Sequence, residues 1–136
     1  MANPYLEMQV RTASPLALVV QLYDAALQQL EAARGHHEAG RVRERGAAIS
    51  RAIAIVGELR SSLDFDRGAE LARQLDDLYA YASERLLEAN RRGAPDALSA
   101  AAAVLVPLRS AWRELAERPP AGGSGPTGRA GGVRRS

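Results

Sequence analysis

His36 and His37 are the only imidazoles in a chain of 136 residues that has no cysteine. They come first because imidazole is the commonest general base and the commonest metal ligand among side chains. Being adjacent, they point about 100° apart on a helix and cannot form the i, i+4 pair with which helices grip a metal. Neither follows a Glu by three positions, so the Glu-x-x-His arrangement of di-metal bundles is missing too. They fall where a helix is expected to end, and a solvated or dipole-facing ring is the plain reading there. Asp76 and Asp77 form a carboxylate pair, but on the polar side of a helix they read as a solvated face. The glycine-rich stretch is C-terminal with no helix after it, so it is no phosphate loop. No catalytic residue, metal ligand or cofactor is expected, and the chain reads as a non-enzyme.

Function must then rest on apolar surface carried by helices. Hydrophobic residues make up 46% of the chain and aromatics only 4%, with Ala abundant, which favours close-packed helices over a β-sandwich. This length suits one domain. No run approaches the ~18 apolar residues of a membrane span, and no secretory leader is apparent. The absence of Cys fits a cytoplasmic protein. Residues 1–117 carry 14 Arg against 16 Asp and Glu, whereas residues 118–136 carry four Arg and no acid. A near-neutral body thus bears a basic tail. Lys is absent, which reads as composition bias before any nucleic-acid role.

The elements follow from periodicity. Residues 61–90 organise the chain: Leu71, Leu75, Leu78, Tyr79, Ala82, Leu86 and Ala89 share one helical face. Asp64 or Asp66 is the expected N-cap, and Arg91, Arg92 and Gly93 are the stop signal. Ser14-Pro15 starts an earlier helix carrying Leu16, Val19, Leu22, Tyr23, Ala26, Leu27, Leu30 and Ala33, expected to end near Gly35. A second helix, about 41–62, has its stripe at Ile49, Ala52, Ile53, Val56, Leu59 and Leu63, with Gly46 and Gly57 inside it. The fourth begins at Pro95-Asp96 and carries Leu98, Ala101, Leu105, Leu108, Trp112 and Leu115, with a kink expected at Pro107. The expectation is all-α: an antiparallel up-down four-helix bundle over residues 14–118. An N-terminal arm (1–13) precedes it, and a disordered Gly/Pro/Arg tail (119–136) follows.

Several large apolar residues fall off these stripes: Leu18, Ile55, Tyr81, Leu87 and Val106. Singly, such residues are ordinary. Together they suggest grooves that accept another amphipathic segment, with the arm a candidate to fill one through Tyr5 and Val10.

Other residues carry a resemblance. Asn3-Pro4-Tyr5, Gln9-Val10, Thr12-Ala13-Ser14-Pro15 and Leu22-Tyr23-Asp24 open it. Ser62-Leu63-Asp64, Gly68, Glu70, Leu78-Tyr79, Tyr81, Arg85-Leu86 and Glu88-Ala89-Asn90 continue it, and Leu108-Arg109 and Ala111-Trp112 close it. In this order and spacing the chain resembles the FliS family of flagellar export chaperones across about residues 3–115. The resemblance implies a cytoplasmic bundle that binds the apolar C-terminal segment of unpolymerised flagellin. It would block premature polymerisation and assist delivery to the flagellar type III export apparatus. The export gate is a further partner it admits; no nucleic acid or membrane insertion is implied, and the chain is expected to be a monomer or weak dimer. The candidate flagellin contacts are Tyr5, Val10, Ile49, Ile53, Ile55, Leu71, Leu75, Tyr79 and Tyr81. Among these Leu75, Tyr79 and Ile53 answer more readily to core packing, and Tyr5, Tyr81 and Ile55 to contact. Pro107, Ala82 and the tail depart from the family pattern. A regulator acting through the Arg tail and a self-associating structural bundle are the alternative readings.

Overall fold

A computed structural model describes residues 15–118. The expected arm, the Ser14 cap and the expected tail lie outside the described residues. Four helices account for most of the rest: α1 (Pro15–Glu38), α2 (Val42–Ser61), α3 (Ala69–Arg92) and α4 (Pro95–Glu117). Packing runs around a ring, α1 on α2, α2 on α3, α3 on α4 and α4 back on α1. Short connections between neighbours make this an antiparallel up-down bundle.

The turns show local chemistry correcting the sequence expectations. α1 passes through Gly35 and ends at Glu38, and the left-handed turn falls at Gly40, with φ 74°. A helical glycine costs stability but does not stop a helix whose next turn still packs. α3 starts at Ala69 with Gly68 at its N-cap and no side-chain cap. Asp64 instead organises the preceding connection, its Oδ1 accepting from the backbone N–H groups of Asp66 (3.1 Å) and Arg67 (3.2 Å). An Asp side chain bonding two and three residues onward makes an Asx turn, which competes with helix capping for the same acceptor. Gly93 ends α3 as its sequence suggests, with φ 62° and its N–H donating to the Ala89 carbonyl. The Arg45 guanidinium lies 3.1 Å from where a Cβ on Gly93 would stand, so that turn needs glycine twice over. Pro107 lies inside α4, which continues through it to Glu117.

Burial varies along the bundle axis. Around the α1–α2 and α3–α4 turns all four helices bury residues, small and large together: Leu30 and Ala33 on α1, Ala48 and Ile49 on α2, Leu86 and Ala89 on α3, and Ala97, Leu98 and Ala101 on α4. Toward the other end α2 and α3 still bury Val56, Leu59, Ala72 and Leu75, whereas burial on α1 begins only at Tyr23 and on α4 ends at Leu105. The bundle is therefore closed at one end and open at the other. No charged side chain is buried among the described residues. Ion pairs lie outside, where Arg60 joins α2 to Asp76 of α3 and Arg109 joins α4 to Asp24 of α1.

Gly57 sits exposed in the C-terminal half of α2, inside its last two turns, and a Cβ there would meet no atom within 4 Å. Gly57→Ala therefore gains helix propensity without a clash. Its expected effect is a stabilisation of about 0.5–1 kcal/mol, read as a shifted urea midpoint with unchanged slope.

Candidate functional site

At the open end the helices leave a groove of roughly 490 Å³. Its apolar walls are Leu16 and Val19 of α1, Leu59 and Leu63 at the end of α2, Leu71 and Leu75 of α3, and Trp112 of α4. The rim is polar, with Ser62, Asp64 and Arg67 contributed by the α2–α3 connection. The groove exists because the stripes outrun their partners: no residue of α1 before Tyr23 is buried, although Leu16 and Val19 continue its apolar face. Leu71 is the extreme case, a stripe residue with 57% of its surface exposed.

The floor is a polar pair held in an apolar site. The Tyr23 and Tyr79 hydroxyls hydrogen-bond to each other across the bundle diagonal, with ring centroids 6.3 Å apart and planes tilted by 51°. The Trp112 side chain lies beside the Tyr23 hydroxyl. Two helices are thus tied beneath the groove, and each buried phenol finds the partner that burial demands. Burial, reinforced by Tyr79, raises the Tyr23 phenol far above its ordinary 10.0, with Trp112 pulling weakly the other way. Tyr79 is raised too, by burial, with its bond to Tyr23 opposing.

The candidate contacts divide by position. Leu71, Leu75 and Tyr79 come together in the groove, Leu71 on its open wall and the other two toward its floor. Ile49 is wholly buried in the core, while Ile53 and Ile55 are half-buried against it. Tyr81 is 47% exposed, outside the groove, beside Leu87 and the ion-paired Arg85 and Glu88. Tyr5 and Val10 lie outside the described residues. Leu16, Val19, Leu59, Leu63 and Trp112 were read from the sequence as stripe residues only. The signal available was their position at helix ends, where a stripe has nothing left to pack on. A smaller groove of roughly 260 Å³ lies between α1 and α4, lined by Leu27, Leu30, Leu98, Ala102 and Val106.

The residues first suspected of chemistry are dispersed. His36 and His37 face guanidinium groups, with Nδ1 atoms 3.5 Å from Arg41 and 3.3 Å from Arg45. Asp76 is engaged by Arg60, whose hydrogen bond holds the carboxyl below its ordinary range. Among the described residues no three His, Asp or Glu gather as a metal site, and no helix is long and apolar enough to cross a membrane.

An apolar groove on an all-helical bundle, floored by hydrogen-bonded tyrosines and walled by leucines, is a surface of the kind that takes an apolar segment, and it places the chain in the class of helical bundles with an open apolar groove. Comparison with known proteins makes the class specific. The family described as "Flagellar protein FliS" matches residues 1–119, and the chain belongs to that family. The flagellar secretion chaperone FliSB of Pseudomonas aeruginosa is 41% identical over 107 residues, covering 79% of this chain and 85% of the relative. The flagellar secretion chaperone FliS of Salmonella typhimurium is 36% identical over 118 residues, 86% of this chain and 87% of its own. That of Escherichia coli is 34% identical over 110 residues, covering 80% and 81%. FliS is a family of chaperones and not of enzymes.

The tyrosine floor predicts an alkaline weakness. Without Lys, the phenols are the side chains that titrate near pH 10. Unfolded, Tyr23 and Tyr79 release their protons there; folded, they keep them. The unfolded state then binds fewer protons, so their contribution is complete below about pH 10 and is lost as pH rises beyond it. Melting temperature followed by circular dichroism should fall above that pH. Tyr79→Phe should soften the fall while costing about 1 kcal/mol at neutral pH.

Proposed function

We propose that the protein is a cytoplasmic export chaperone that holds the C-terminal segment of unpolymerised flagellin in and around the open-end groove. In this reading it prevents premature polymerisation and helps deliver the subunit to the flagellar type III export apparatus. The observation that carries it is the groove itself: about 490 Å³ of leucine- and tryptophan-walled space whose most exposed leucine, Leu71, leaves 57% of its surface open to a partner. Membership of a family of flagellar secretion chaperones supports the same reading. Leu71, Leu75 and Tyr79 are the contacts the groove favours, and Tyr81 extends the surface along α3. Tyr5 and Val10 add contacts from the N-terminal arm. Ile49 acts through the core, and Ile53 and Ile55 flank it. No nucleotide or cofactor enters the cycle. The export gate is a second partner, engaged by a monomer or weak dimer of the chaperone.

The mechanism is exchange of one apolar environment for another. A subunit end whose apolar stripe is unpaired before assembly gains by entering the groove, at about 25 cal/mol for each Å² of apolar surface removed from water. Ordering the segment opposes this, so affinity reflects only the surplus. That leaves the complex releasable without an energy source.

Isothermal titration of the purified chain with a peptide from the C-terminus of its organism's flagellin tests this. The expected result is saturable one-to-one binding with a negative heat-capacity change. Leu71→Glu, at an exposed position, should leave the melting curve intact and weaken binding by about tenfold or more, since it places a charge in an apolar contact. Tyr5→Ala should weaken binding without unfolding the bundle. Absence of binding by the folded wild-type chain over several peptide lengths would overturn the assignment.

A further inference from the structure

The four buried residues of α4, namely Ala97, Leu98, Ala101 and Leu105, all precede Pro107. Beyond it Leu108 and Trp112 are only half-buried and Leu115 is exposed. Pro107 has no N–H to give, so the Ala103 carbonyl lacks its intrahelical donor at the point where burial stops. The helix ends at Arg118 in extended backbone, with no glycine cap and no basic residue in its last turn. This outer half is held by the ion pair of Arg109 with Asp24, partly exposed on both sides, and by Leu108 and Trp112 at the margin of the core, Trp112 beside the Tyr23 hydroxyl. Trp112 is also a wall of the groove.

From these features we propose that α4 is hinged at Pro107, and that residues 108–117 form a flap over the open-end groove. A helix bends where a hydrogen bond of its ladder is missing, and a segment with few buried contacts opens at lower free energy than the core. Both conditions meet at one residue, and the moving part carries a wall of the groove. Swinging the flap outward breaks the Arg109–Asp24 ion pair, parts Trp112 from Tyr23, widens the groove and leaves the closed end undisturbed. Tyr23 keeps its bond to Tyr79, so the floor survives the motion. The open flap would admit a bulkier apolar segment than the closed groove receives. Only this last consequence rests on reading the groove as the cargo site.

Hydrogen exchange measured residue by residue on the full chain, without any ligand, tests the hinge. The expected pattern is a step: amides of residues 108–117 exchange about tenfold or more faster than those of 97–106. Pro107→Ala restores the missing donor at an exposed helical position, and should slow exchange of 108–117 while leaving 97–106 unchanged. Arg109→Ala should speed exchange of the outer half alone. A smooth gradient toward Glu117 that Pro107→Ala does not alter means ordinary end fraying and overturns the hinge, as does uniform protection along the whole of α4. With the hinge established, Pro107→Ala should also slow association of the flagellin peptide several-fold. An unchanged association rate would separate the flap from cargo entry. Failure of the wild-type chain to bind any peptide would count against the cargo site and not against the hinge.

Discussion

Where burial stops along each helix is the constraint on which the rest of this bundle depends. Around the α1–α2 and α3–α4 turns all four helices contribute buried residues, whereas toward the other end burial on α1 begins only at Tyr23 and on α4 ends at Leu105. At the closed end side chains meet tightly: the guanidinium of Arg45 lies against Gly93, and a Cβ on Gly46 would stand 3.3 Å from the Asn90 side-chain oxygen. Apolar stripes that continue past the last buried residue leave interior volume between the helices. The groove is the outcome, and it needs no separate structural element to create it.

Beneath the open end the Tyr23–Tyr79 pair closes the core. Two phenols hydrogen-bonded to each other bring large apolar rings together with a directional bond between helices that do not otherwise carry the packing. The cost is that each hydroxyl depends on the other, so the loss of one leaves its partner short of a bond in a low-dielectric site. Arg60–Asp76 and Arg109–Asp24 join neighbouring helices from outside, where solvent screens them, and they set orientation more than stability.

Helix number, order and packing class were legible in the sequence because the stripes in all four helices recur with a helical period that composition does not disguise. Boundaries were less so. Asp64 looks like a cap by type, yet its oxygen is used by the turn before the helix, and only three-dimensional geometry decides between those two local bonds. Gly35 looks like a stop, yet Ala33 on one side of it is buried and His36 and His37 on the other are half-buried, so tertiary contact carries α1 onward. The site was half legible. Periodicity places Leu71, Leu75 and Tyr79 on one face but cannot say where along that face the partner helices end. The same stripe therefore yields a buried Ile49 on α2 and an exposed Leu71 on α3. Trp112 was read as core for the same reason.

Distribution of apolar surface also bears on how a chaperone of this kind could release what it holds. The exposed large residues are scattered: Leu71 in the main groove, Tyr81 and Leu87 further along α3, and Val106 beside the smaller α1–α4 groove. Burying one such side chain is worth about 1.5–3 kcal/mol at most, and part of that is consumed in ordering the ligand. No single patch can hold a segment tightly, whereas several linked in one segment act at high effective concentration and hold it together. Such binding comes apart patch by patch. Each step requires only a small free-energy loss, and a competing partner that captures one freed stretch lowers the effective concentration of the remainder. A single deep pocket of the same total affinity would have to give up everything at once. For the cargo-holding role proposed above, shallow and dispersed apolar surface is the arrangement that reconciles secure holding with handing over.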